Sequence, residues 1–93
     1  MVQIEFDFNQ IITEIQGNLE DLFQDIIDKY INKTELNPDK LTFFSNGKKI
    51  NPENTVESHM SDLNKTDNKM KVLVNLINMI ILLYLLMALL ING

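Results

Sequence analysis

Every charged side chain in this 93-residue chain, 13 acidic and 8 basic, lies between Glu5 and Lys71, and the stretch Val72–Gly93 carries none. That partition excludes one uniformly patterned globule. The first part can fold in water with a wet and a dry side on each element, whereas a helix apolar on every side must be surrounded by lipid or by protein. The sequence therefore reads as a polar head followed by an apolar tail. A head this small buries only about two thirds of its unfolded surface and leaves little room for a deep active site. The net charge of −5, with lysine as the only strong base, argues against nucleic acid as a partner, since phosphate binding needs clustered positive charge. With no cysteine, a disulfide scaffold, a thiolate metal site and a cysteine nucleophile are excluded. The start, Met1 to Phe8, has no basic opening and no continuous apolar core, so it is not a signal peptide.

Val2, Ile4, Phe6 and Phe8 alternate with Gln3, Glu5 and Asp7, the period of a strand with one buried face. Asn9-Gln10 reads as a tight turn, and Ile11, Thr13 and Ile15 alternate with Ile12, Glu14 and Gln16 as a returning strand. After Gly17, Asn18 is placed to cap a helix whose apolar stripe is Leu19, Leu22, Phe23, Ile26, Ile27, Tyr30 and Ile31. Its polar side holds Asp25 and Lys29, one turn apart as a favourable pair. Asn37-Pro38 ends the helix. Leu41–Phe44, the turn Asn46-Gly47 and Lys48–Ile50 read as a second hairpin. Residues 51–68 are turn-rich, with Val56, Met60 and Leu63 as anchors and room for one helical turn. Met70, Val72, Val74 and Leu76 then alternate with Lys71, Leu73 and Asn75 as a final strand.

Strand, strand, helix, strand, short strand, loop and strand, all within residues 1 to about 77, resemble the ubiquitin-like β-grasp domains. The likeness rests on the hairpin Val2 to Ile15, the helix after it, the segment Leu41-Thr42-Phe43-Phe44-Ser45-Asn46-Gly47-Lys48-Lys49-Ile50, and Asp67-Asn68-Lys69-Met70-Lys71-Val72-Leu73-Val74. The resemblance implies an α+β fold, a mixed sheet packed on one amphipathic helix with the last strand beside the first. It divides the chain into a head, 1–77, and an apolar C-terminal helix, 78–93. It also implies a non-catalytic module that binds a protein partner through an apolar patch on the open sheet face, with Phe8, Phe44, Lys71 and Leu73 at the matching positions. The alternation independently puts Lys71 and Leu73 opposite Met70, Val72 and Val74. The competing reading turns Phe44 or Phe8 into the core. Covalent modifiers of the ubiquitin pathway end in two glycines after the last strand. Here the matching positions are Asn78-Met79, so conjugation is not expected.

Nothing in the sequence calls for a cofactor or a metal, and no nucleophile and base pair suggests an enzyme. His59 stands alone between Ser58 and Met60, with Glu53 and Glu57 in reach only if that loop is helical. Asp62, Asn64 and Thr66 start like a calcium loop, but Asp67 stands where glycine is required and Leu73 where glutamate is required. Asn32-Lys33-Thr34 and Asn64-Lys65-Thr66 fit the glycosylation pattern, which a chain with twelve asparagines produces by chance. Lys48 is read as a solubilising residue.

Two readings compete for the tail, whose run from Met79 to Ile91 holds no polar group except the Tyr84 hydroxyl. As a membrane anchor it would hold the head in the cytoplasm at the cytosolic face, with Lys65, Lys69 and Lys71 as the positive flank. A helix of sixteen residues from Leu76 spans roughly 24 Å, against a hydrocarbon core of about 30 Å. Starting at Val72 would reach the full thickness at the expense of the central strand. As an assembly element the tail would pack on the head or drive homo-oligomerisation. In either case Ile80, Leu83, Leu86 and Leu90 would be contact residues. A third reading makes it an accident of the gene model.

Overall fold

The computed structural model describes the backbone of residues 1–92, and the side chains of all of these except 78–81 and 92. Strand β1 (Val2–Phe8) and strand β2 (Ile11–Gly17) pair antiparallel, from Val2 opposite Gly17 to Phe8 opposite Ile11. Asn9 and Gln10 both take left-handed backbone, with φ of 52° and 70°, the two-residue turn whose twist matches that of the strands. Asn46 and Gly47, at φ 53° and 76°, make the same kind of turn between β3 (Leu41–Ser45) and β4 (Lys48–Lys49). Strand β5 (Lys69–Leu76) runs parallel to β1 and antiparallel to β3, which gives the sheet order β2-β1-β5-β3-β4. The last strand thus lies beside the first, in the centre of a mixed sheet.

The long helix α1 covers Phe23–Thr34 and buries Phe23, Ile26, Ile27 and Tyr30 against one face of the sheet. It starts four residues later than the capping pattern at Asn18 predicts. Asn18 instead closes a turn with Asp21, whose carboxylate accepts from the Asn18 N–H at 2.9 Å. The first free N–H groups of α1 are met from a distant loop: Phe23 donates to Asn54 O at 2.8 Å and Gln24 to Pro52 O at 2.9 Å. Those carbonyls satisfy the donors that a local cap would otherwise serve. Lys29 does not pair with Asp25; its ammonium lies 3.3 Å from Gln16 O on β2. The loop predicted to hold one helical turn carries a six-residue helix α2 (Asp62–Asp67), opened by a reciprocal capping box between Ser61 and Asn64.

The core is aromatic at its centre. Phe6 stacks on Tyr30 with ring centroids 4.2 Å apart and meets Phe43 edge-on at 6.0 Å. Ile4, Val56, Met70, Val72 and Val74 are buried around it. Gly17 is required there by space, because a Cβ at that position would collide with Ile26 Cδ1.

Helix α3 (Ile77–Asn92) follows β5 with no intervening residue. Leu82 to Met87 are each between 50% and 72% exposed. Six consecutive residues cover every side of a helix, so this part of α3 does not pack on the head, contrary to one of the assembly readings. Leu83, Leu86 and Leu90 all face outward; Ile80 lies outside the residues whose side chains are described. Among the described residues no helix is long and apolar enough to cross a membrane. The longer span that would begin at Val72 does not form, because β5 pairs with β1 as far as Val74 and with β3 as far as Leu76. The expected transmembrane helix is therefore not supported.

Candidate protein-interaction face

One face of the sheet is covered by α1 and the other is open. On the open face the strand registers bring one side chain from each strand into a row. Ile12 on β2 stands opposite Asp7 on β1, Asp7 beside Leu73 on β5, Leu73 opposite Phe44 on β3, and Phe44 opposite Lys49 on β4. Ile12 is 52% exposed and Leu73 50%, while Phe44 is half-buried. A second row places Glu14, Glu5 and Lys71 side by side. Glu5, Asp7, Ile12, Lys71 and Leu73 line an open depression here. An apolar centre flanked by charge is the pattern of a protein contact surface.

The strands under this face are pinned together. The Ser45 hydroxyl donates to Lys71 O at 2.7 Å, locking the end of β3 to β5. Lys69 Nζ pairs with the Glu5 carboxylate at 2.8 Å, and the hydrogen bond and charge of Glu5 hold that ammonium above the usual lysine range. Glu5, set opposite the like charge of Glu14, is thereby partnered by Lys69 on β5.

Of the residues expected in the patch, Phe44, Lys71 and Leu73 share the open face. Phe8 does not join them. It continues the inward series Ile4 and Phe6, stands beside Val74, and packs against the core from the helix side. The period-two rule that placed Leu73 outward places Phe8 inward. Ile12 takes its place on the open face. The signal for it was available, since an isoleucine in phase with Glu14 and Gln16 sits on the wet side of β2.

His59 has a different task. Its Nε2 accepts from the Asn51 N–H at 3.0 Å, which leaves the proton on Nδ1, 2.9 Å from Thr55 O. Its ring meets Phe23 edge-on with centroids 5.1 Å apart. The imidazole therefore ties the loop of residues 51–60 to the start of α1 and has no carboxylate partner among the described residues. Asn64 and Thr66, suggestive of a calcium loop in the sequence, lie on α2, where Asn64 serves the capping box and the Thr66 hydroxyl donates to Asp62 O. No group of three or more His, Cys, Asp or Glu among the described residues could hold a metal ion.

No family model matches the chain, and no curated relative matches it. Solved structures do. One is a chain of the crystal structure of ATBAG1 in complex with HSP70, at a TM-score of 0.66 and 13% identity, over 82% of this chain and 40% of that one. This protein thus spans less than half of that chain's length. Another is the solution structure of the ubiquitin-like domain of an Arabidopsis thaliana protein, at a TM-score of 0.64 and 9% identity, over 81% of this chain and 76% of that one. At such identities the likeness concerns fold alone, and with the observed strand order and the helix α1 packed on one sheet face it identifies the fold of residues 1–77 as ubiquitin-like β-grasp.

Proposed function

We propose that this protein is a non-catalytic interaction module that docks a protein partner on the open face of its sheet, through Ile12, Phe44 and Leu73 with Lys71 and Asp7 at the margin. The observation that carries the reading is the row in which Ile12, Asp7, Leu73 and Phe44 stand side by side across four strands. Half-exposed apolar side chains on a rigid sheet lose little conformational freedom when covered, which favours a binding surface. A ubiquitin-like fold supports the same reading, as does the fact that one structural neighbour comes from a complex with HSP70. The test is site-specific photocrosslinking. A photoreactive side chain at position 12 or 73 should capture a partner, and one at position 28, on the wet side of α1, should not. The reverse pattern would contradict the assignment.

The tail supports a second element of the proposal. The stretch Leu82–Met87 of α3, uncharged and exposed on all sides, needs an apolar phase around it. We read α3 as tethering the head to the cytosolic face of a membrane, without α3 itself spanning the bilayer. Self-association through α3 in the absence of lipid is the competing outcome.

A further inference from the structure

The turn between β3 and β4 carries a reactive pair of residues that the partner surface does not use. In Asn46-Gly47 the residue after the asparagine has no side chain, so its backbone nitrogen can be approached closely by the neighbouring Cγ. Asn46 is exposed, and its side chain reaches to the loop and the helix that precede β5. Its Nδ2 donates to His59 O at 3.1 Å and to Asn64 Oδ1 at 3.0 Å. The partners fix which way that amide points. His59 O can only accept, and Asn64 Oδ1 already accepts from the Ser61 N–H at 3.0 Å in the capping box of α2, so Asn46 must present its NH2 group to both. Among the described residues no other hydrogen bond joins this turn to residues 57–67. One side-chain amide is therefore the clasp between the turn and α2.

We propose that Asn46 is a site of spontaneous deamidation, and that the modification releases α2 from the turn. The Gly47 backbone nitrogen attacks Asn46 Cγ. The new C–N bond closes a succinimide ring, the Cγ–Nδ2 bond breaks, and ammonia leaves carrying the proton that Gly47 N gives up through solvent. Water then opens the ring at either carbonyl and leaves aspartate or isoaspartate at position 46. The clasp gates the first step. The amide must leave both acceptors, and the turn its left-handed backbone, before Cγ meets the nitrogen, so reaction waits for a local opening. Once formed, the product keeps the clasp from closing. A carboxylate at position 46 has no hydrogen to give His59 O or Asn64 Oδ1 and sets a negative charge against both. Turning the Asn64 amide round to donate would break its bond from the Ser61 N–H, and with it the helix cap. Lys69 and Lys71 line one depression bordered by Asn46, and Lys48 and Lys49 line another, so the new charge is drawn away from α2. Isoaspartate goes further, because it adds a methylene to the main chain of a two-residue turn and shifts Lys49 from its place opposite Phe44. The join of β3 to β5 survives, since the Ser45 hydroxyl holds Lys71 O without help from the turn.

Peptide mapping by mass spectrometry of the full-length protein, aged in warm and mildly alkaline buffer, tests this. The expected result is a gain of one dalton in the peptide that holds Asn46, divided between aspartate and isoaspartate forms that separate by retention. The map keeps this site apart from Asn92-Gly93, the other such pair in the sequence. Conversion should be roughly tenfold or more slower in the native protein than in the same protein denatured in guanidinium chloride, and Asn64→Ala, which removes one acceptor, should recover much of that difference. Asn46→Gln should show no conversion over the same period. Asn46→Asp supplies the aspartate product directly, and in it the amides of Asn64 and Lys65 should exchange with solvent roughly tenfold faster than in the wild type, while those of β1 and β5 are unchanged. No conversion of Asn46 in the native protein, conversion as fast there as in the denatured chain, indifference to Asn64→Ala, or wild-type exchange at Asn64 and Lys65 in Asn46→Asp would overturn the proposal. The native and denatured wild-type rates decide it even if a variant fails to fold.

Discussion

Replacing His59 tests how the start of α1 is held. His59→Phe keeps an aromatic ring against Phe23 but removes the Nε2 acceptor for the Asn51 N–H and the Nδ1–H donor to Thr55 O. Each such bond contributes about 1 kcal/mol net, and because water can reach the Asn51 bond, the expected loss is about 1–2 kcal/mol. His59→Ala also removes the ring contact with Phe23 and should cost about 0.5–1.5 kcal/mol more. Against a total of about 4–11 kcal/mol for a head of this size, both variants fold and both losses are measurable by urea denaturation. The structural signature is local. Residues 51–54 supply the carbonyls that cap α1, so in His59→Phe the amides of Phe23 and Gln24 should exchange with solvent roughly tenfold faster, the equivalent of about 1.4 kcal/mol, before the centre of the sheet is affected. A His59→Phe protein with wild-type stability and unchanged exchange at Phe23 and Gln24 would refute the reasoning.

Other consequences are as direct. Gly17→Ala should destabilise the head by about 1–3 kcal/mol, because the new methyl collides with the fully buried Ile26; thermal unfolding measures this. Burial, and then the nearby Asp7, push the Tyr30 hydroxyl above its ordinary pKa of 10.0. An acid whose folded pKa is raised contributes stability that is complete below the unfolded value and lost as pH rises through the folded one. Stability should therefore fall in the alkaline range above pH 10, and Tyr30→Phe should flatten that fall in urea titrations. Ending the chain at Ile77 should leave the head folded by circular dichroism and abolish pelleting with membranes. If the full chain instead washes off and sediments as an oligomer without detergent, α3 is an assembly element.

The elements read correctly from the sequence are those whose signals are local. Asn9-Gln10 and Asn46-Gly47 specify their turns through left-handed backbone, and the alternation in β1 and β5 fixes which side chains face inward. The start of α1 is not legible in the sequence because its cap is not local: the carbonyls come from Pro52 and Asn54, about thirty residues away. Helix α2 is only faintly legible, since its signal, Ser61 three residues before Asn64, is a weak form of the capping box. In the candidate face the outward phase of Phe44, Lys71, Leu73 and Ile12 is legible in the sequence, whereas Phe8 belongs by its own strand phase to the inward series. The contacts of Lys29 with Gln16 O and of Lys33 with Glu14 O on β2 are not legible in the sequence, because they depend on where the packed helix sets those side chains over the sheet edge.

The open sheet face as a partner surface is tested most directly by capture from cytosolic extract with three immobilised proteins: the wild type, Phe44→Ala with Leu73→Ala, and Asp28→Ala as a control on the wet side of α1. Truncating two central apolar side chains of an interface costs about 2–4 kcal/mol or more of binding. The account predicts that proteins retained by the wild type and by Asp28→Ala are lost from the double variant, which remains folded because both side chains lie outside the core. Capture of the same proteins by all three would contradict it.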